Sequence, residues 1–124
     1  MRSYLMIYDP DYARAYSIIR CTAWMYGYAA LLHGSFTRDL DVVLVPWTDK
    51  ATKESGALIK HIASQVGWKI QNEDIKPEHG KCYSDKPHGR KTWSLVAPDF
   101  GDPRWIDISV MPMQPLPPLP KEQG

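Results

Sequence analysis

The segment RWIDISVM at residues 104–111 places a carboxylate in the middle of an apolar strand. Side chains on an extended strand alternate between its faces. Ile106, Ile108 and Val110 therefore share one face, and Trp105, Asp107, Ser109 and Met111 share the other. The branched face needs a cover of apolar side chains. A carboxylate buried without a partner is expensive, so the other face must give Asp107 a partner, an ion or water. A strand of this kind belongs in a sheet that is packed on one side.

The remaining elements fit such a sheet. Asp9 before Pro10 reads as a helix start, since the carboxylate can accept from orphan amides and proline has its φ pre-set. Tyr12, Ala15, Tyr16, Ile19, Ala23 and Tyr26 then recur at helical spacing, with Gly27 as the stop. YAALLH (Tyr28 to His33) and the β-branched run DLDVVLVPW (Asp39 to Trp47) are separated only by GSFTR, which predicts an antiparallel hairpin. Thr48 and Asp49 are candidate caps for a second helix whose buried face is Leu58, Ile59, Ile62, Ala63 and Val66, stopped by Gly67.

WKIQNED suggests a further strand, and KPEHGKCYSDKPHGR reads as a long surface loop. KTWSLVA and RWIDISVM form a second hairpin around the turn-forming PDFGDP. The expected fold is α+β: a mixed or antiparallel sheet of about four to five strands with two main helices packed on one side. The expected organisation is one domain over residues 1–112, with a proline-rich tail, PMQPLPPLPKEQG, over the last residues from 112 or 113 to 124.

Composition narrows the function classes. Hydrophobic residues make up 44% and charged residues 23% of the chain, which suits a packed core rather than a disordered segment. A net charge of +1 leaves no broad basic field that would make nucleic-acid binding the default. Cys21 and Cys82 are the only cysteines, too few for a disulfide framework and without zinc-ligand spacing. With no signal-peptide core and no apolar run long enough for a membrane span, a cytoplasmic protein without membrane association is expected.

The chemistry-bearing residues cluster in two stretches. Asp39 and Asp41 lie on one side of a strand, with alpha carbons roughly 6.6 Å apart. Two carboxylates so placed repel each other unless they share a divalent cation, and hard oxygen donors suit Mg2+ or Mn2+. If the Asp107 strand is a neighbour, three acids converge. The plainer reading of Asp39 and Asp41 is a pair of solvated acids, and that of Asp107 is an ion pair with Arg104, Arg90 or Arg38. Gly34 and Ser35, just before the acids, can let a phosphate approach the backbone or can form a simple turn; Arg38 either adds a cation there or neutralises Asp39. Lys86, His88 and Arg90 in DKPHGRKTW place three potential phosphate or base contacts on one loop, which can equally be a charged surface loop. His33, His61 and His79 show no metal-ligand spacing.

An apolar strand, Gly-Ser, an Asp-x-Asp strand, a helix and a later strand-borne Asp resemble the pattern of the polymerase-beta-like nucleotidyltransferase superfamily, particularly its minimal single-domain members. The resemblance covers about residues 25–112. HGSFTRDLDVVLVPW, KPHGR and WIDISVMP are also similar to strings in small phage and prophage proteins. The resemblance implies a nucleoside triphosphate held by Gly34 and Ser35, and Mg2+ (or Mn2+) bound by Asp39, Asp41 and Asp107. These three would be the catalytic residues, with Asp107 also a candidate base. Arg38, Lys86, His88 and Arg90 are further candidates for binding substrate. The implied reaction moves a nucleoside monophosphate to a hydroxyl of a protein, a nucleic acid or a small molecule. Family members place a longer insert between Gly-Ser and the acid pair, whereas only Phe36, Thr37 and Arg38 intervene here. That departure motivates an alternative: a non-catalytic relative of the fold that binds a nucleotide or a protein partner.

Overall fold

A computed structural model describes residues 9–34 and 39–113 of the chain. Ser35, Arg38 and residues 114–124 of the tail lie outside the described residues. Helix α1, Pro10–Met25, starts as its sequence dictates: the Asp9 carboxylate accepts from the Asp11 amide at 2.9 Å, and Pro10 occupies the first turn, where its missing N–H is no loss. Tyr12, Ala15, Ile19 and Ala23 are buried along one face. Gly27 (φ +86°) then turns the chain into strand β1, Tyr28–His33.

Strand β2, Leu40–Pro46, pairs antiparallel with β1, and His33 stands opposite Asp41. Helix α2 spans Ser55–Val66 and buries Leu58, Ile59, Ile62, Ala63 and Val66 before Gly67 closes it in the left-handed conformation. Its start corrects the expectation from Thr48 and Asp49. The Thr48 hydroxyl accepts from the Lys50 amide in a turn. Ala51 is buried, and the Thr52 amide donates to the Tyr26 carbonyl. Residues 48–52 thus strap the linker onto the end of α1, and the helix begins only after this strap is complete.

WKIQNED contributes only the two-residue strand β3, Lys69–Ile70. The long loop after it holds a 3-10 turn at Pro77–His79 and the two-residue strand β4, Ser84–Asp85, and a second 3-10 turn, Pro87–Gly89, leads into β5, Lys91–Val96. Strand β6, Trp105–Val110, pairs antiparallel with β5 as the sequence suggests. The sheet order is β1-β2-β6-β5-β3, with β4 also against β5; β2 and β6 run parallel and the other pairs antiparallel. The protein is therefore α+β with a mixed sheet. It has one more short strand than the sequence suggests, because two residues such as Ser84 and Asp85 carry no periodicity.

Both helices cover the same side. Leu40, Val42, Leu44, Trp93, Leu95, Ile106, Ile108 and Val110 point inward from the central strands and join the helix residues in one core. The intervening residues, Asp41, Val43, Thr92, Ser94, Asp107 and Ser109, are only partly buried on the opposite side. Arg104 fastens the edge of this arrangement: its guanidinium reaches Asp9 at 2.8 Å, Asp11 at 3.0 Å and Asp102 at 2.7 Å, tying the start of α1 to the β5–β6 turn. Hydrogen bonds donated to Asp102, Asp9 and Asp11 hold the guanidinium proton even more firmly than usual. Among the described residues no helix is long and apolar enough to cross a membrane.

The junction at Gly27 gives a direct check. A β-carbon there would stand 2.7 Å from the Ala51 α-carbon, a backbone atom that cannot swing away. Gly67 has a similar φ of +83° but open space around it. Gly67→Ala should cost about 1 kcal/mol for its left-handed backbone, and Gly27→Ala about 2 kcal/mol or more beyond that from the overlap. Urea unfolding of both variants measures the difference; equal losses would mean that the strap does not hold the junction.

Candidate active site on the open face of the sheet

The parallel register of β2 and β6 sets Asp41 beside Asp107. The antiparallel registers on either side extend the row, with His33 of β1 next to Asp41 and Ser94 of β5 next to Asp107. Strand alternation turns all four away from the helices. The row His33–Asp41–Asp107–Ser94 crosses four strands, and two residues along on the same face Thr92 and Ser109 meet through their hydroxyls at 2.9 Å.

The two carboxylates are held differently. The Ser94 hydroxyl donates to Asp107 Oδ1 at 2.6 Å, a short charge-assisted bond that fixes the orientation of that carboxylate. Burial pushes the Asp41 carboxyl above the ordinary carboxylate range, and the charges of Asp107 and Asp39 push it further, with His33 pulling weakly the other way. The ion-pair alternative with Arg104 is removed, because that guanidinium is engaged by Asp9, Asp11 and Asp102.

Opposite the acids the loop before β5 brings cations. A cavity of about 330 Å³ on the open face is lined by His33, Asp41, Asp107 and Ser94, by Thr92, Ser109 and Ser84, and by Lys86 and Arg90. The Lys86 amide donates to the Arg90 carbonyl at 2.8 Å, so the two cationic residues are hinged at one turn. Arg90 Nε is buried and makes no hydrogen bond among the described residues. A guanidinium N–H left in that condition is costly and has the chemistry to donate to a carboxylate or phosphate oxygen.

Of the residues singled out from sequence, the structure brings Asp41, Asp107, Lys86 and Arg90 to this cavity. Gly34 (φ +96°) stands at its edge, where an added β-carbon would lie 3.8 Å from Asp41 Oδ2. Asp39 is exposed and does not line the cavity. Ladder pairing begins at Leu40, so Asp39 has no strand neighbour to aim it, and its charge acts on Tyr12 of α1 as well as on Asp41. His88 is exposed in the left-handed conformation (φ +68°) and also lies outside the lining. Ser35 and Arg38 lie outside the described residues.

Sequence reasoning missed His33, Ser84, Thr92, Ser94 and Ser109. The signal for three of them was present: Thr92 and Ser94 alternate with Trp93 and Leu95, and Ser109 comes two residues after Asp107. His33 needed the β1–β2 register, which composition does not supply.

No family model matches the chain. No curated protein matches it either.

The donor set can be tested against a divalent cation on its own terms. Among the described residues no group of three or more His, Cys, Asp or Glu side chains is gathered closely enough to hold a metal. Two neighbouring carboxylates on an open, polar face are nevertheless the usual protein share of a Mg2+ site, where water and substrate phosphates complete the shell. Asp41 and Asp107 fit that role, with Asp39 at the margin.

The coupling of the pair has a pH signature. The Asp41 carboxyl binds its proton more tightly folded than unfolded. Its contribution to stability is thus complete below the ordinary aspartate pKa and is lost as pH rises through the raised value. Asp41→Asn should therefore raise the urea midpoint at neutral pH, with the gain vanishing near pH 3. Asp107→Asn should lower the Asp41 titration midpoint followed by side-chain 13C NMR. An unmoved midpoint would show that the two carboxylates do not feel each other.

Proposed function

We propose that the chain is a metal-dependent nucleotidyltransferase that moves a nucleoside monophosphate from a nucleoside triphosphate to a hydroxyl acceptor on a protein, a nucleic acid or a small molecule. The observation that carries this reading is the meeting of Asp41 and Asp107 across from Lys86 and Arg90 in one polar cavity. The resemblance of the Gly34, Asp41 and Asp107 pattern to minimal nucleotidyltransferases supports it. Such a cavity offers two kinds of partner to a triphosphate: cationic donors on one side and a cation-ready acid pair on the other.

In this reading Mg2+ or Mn2+, held by Asp41 and Asp107, would neutralise charge on the phosphates. Lys86 and the buried Nε of Arg90 donate to non-bridging phosphate oxygens, fixing the triphosphate along the sheet. Ser94 holds Asp107 through one oxygen, which leaves the other without a side-chain donor among the described residues. The acceptor oxygen bonds to the α-phosphorus as the bond to pyrophosphate breaks, and the acceptor proton passes to Asp107.

One observation favours a second reading. Asp39, which the resemblance makes a metal ligand, stands outside the cavity. A chain with two rather than three acids in place would suit a nucleotide-binding relative that carries out no transfer and acts through a protein partner.

Incubation with α-labelled triphosphates and Mg2+ or Mn2+ against a cell lysate separates the two. The transferase reading expects label on an acceptor, reduced at least about a hundredfold in Asp41→Asn and Asp107→Asn. It also expects about tenfold weaker triphosphate binding in Arg90→Met, roughly the effect of one charge-assisted hydrogen bond. Binding without transfer would select the second reading, and no metal-nucleotide binding at all would overturn both.

A further inference from the structure

The strand registers lay out the open face as successive rows of side chains. Two residues along from the acids, Leu31 of β1, Val43 of β2, Ser109 of β6, Thr92 of β5 and Ser84 of β4 stand opposite one another in turn. Alternation turns this row to the same side as Asp41 and Asp107. Its chemistry changes along its length. Over β4, β5 and β6 it offers three hydroxyls, and over β1 and β2 it offers only aliphatic surface.

Both halves continue beyond this row. On the β4–β5 side come Lys86 and Arg90, whose backbones meet at 2.8 Å. On the β1–β2 side Ala29 stands opposite Val45. The helices pack on the other side of the sheet, which leaves Leu31 54% exposed and Ala29, Val43 and Val45 half-buried. Val43 also lines the cavity that holds Asp41, Asp107, Lys86 and Arg90. The aliphatic strip therefore begins in the cavity wall and runs outward to β1, the edge strand of the sheet.

A ligand that uses the whole row is anionic at one end and flat and apolar at the other. A triphosphate lying over the hydroxyls and cations, with its α-phosphate at the acid pair, carries its ribose and base toward β1. From strand spacing and rise, Leu31 stands roughly 8 Å from Asp41 across the face, within reach of a base attached through a ribose. We propose that the strip of Leu31 and Val43, extended by Ala29 and Val45, is the platform for the nucleobase of the bound triphosphate. The proposal rests on a triphosphate occupying the cavity, which both readings above share. A second copy or an apolar peptide could cover the strip, but would leave the hydroxyls and cations of the same face unused. None of the four platform side chains has a donor or acceptor, so the platform holds the base by removing apolar surface from water and does not read its edge. The substrate class is accordingly the nucleoside triphosphates of all four bases, adenine, guanine, cytosine and uracil.

Calorimetric titration of the full chain with ATP, GTP, CTP, UTP and inorganic tripolyphosphate, each with Mg2+, tests this. The four nucleotides should bind within about threefold of one another, because no polar group separates their edges. They should bind about tenfold more tightly than tripolyphosphate, the gain from burying roughly 55 Å² of apolar surface. Leu31→Ser with Val43→Thr leaves the charge of the face unchanged and should erase most of that difference without altering tripolyphosphate binding. Nuclear Overhauser contacts from base protons to the methyls of Leu31 and Val43 should locate the base directly. Nucleotides binding no more tightly than tripolyphosphate, or losing affinity in step with it in the double variant, would overturn the platform and leave the triphosphate site standing. A preference for one base well beyond threefold would overturn the four-base assignment. Concentration-dependent shifts of the same methyls without nucleotide would give the strip to a second copy instead. Failure of every one of these ligands to bind would overturn the triphosphate site itself, and the platform with it.

Discussion

The repulsion between Asp41 and Asp107 is the constraint around which the open face is arranged. Parallel pairing of β2 with β6 sets two carboxylates side by side on a half-buried surface, where burial first and then the charge of Asp107 disfavour the charged form of Asp41. Ser94 relieves Asp107 with a short hydrogen bond, and Asp41 is left with a raised proton affinity. A fold selected for stability alone would place Asn or Thr at one of these positions. A cation that bridges or neutralises the pair would remove the penalty. Electrostatic strain and ligand affinity are two sides of one arrangement.

The same alternation that creates the strain also makes it tolerable. Ile106, Ile108 and Val110, with Leu40, Val42 and Leu44, bury one face of β2 and β6 beneath both helices. The opposite face keeps partial contact with solvent, and the hydroxyls of Thr92, Ser94 and Ser109 give it hydrogen-bonding partners. Lys86 and Arg90 arrive on a loop hinged at its own backbone hydrogen bond, and among the described residues neither forms an ion pair with the acids. Arg104, which could have done so, is held at the sheet edge by three other carboxylates.

The parts of this arrangement that depend on local chemistry were legible in the sequence. Asp9 and Pro10 begin α1, the apolar stripe from Leu58 to Val66 and Gly67 define the body and end of α2, and the alternation around Asp107 separates a covered face from an open one. Features set by distant partners were not. Nothing local to DLDVVLVPW or WIDISVM says that these strands are parallel neighbours, which decides that Asp41 rather than Asp39 meets Asp107. Thr48 and Asp49 have the chemistry of helix caps, but the burial of Ala51 and the bond from Thr52 to Tyr26 divert that segment into a strap. His33 enters the site only through the β1–β2 register, and an isolated histidine at a strand end carries no mark of that.

Asp41 and Asp107 together are proposed to hold the divalent cation of a bound triphosphate. Paramagnetic broadening by Mn2+, added with a nucleoside triphosphate to isotopically labelled protein, locates the cation directly. The expected loss of signal centres on the amides of Asp41, Val42, Asp107 and Ser94 and extends to His33 and Arg90. Broadening centred instead on the acidic cluster of Asp9, Asp11 and Asp102, or spread evenly over exposed carboxylates, would contradict that assignment.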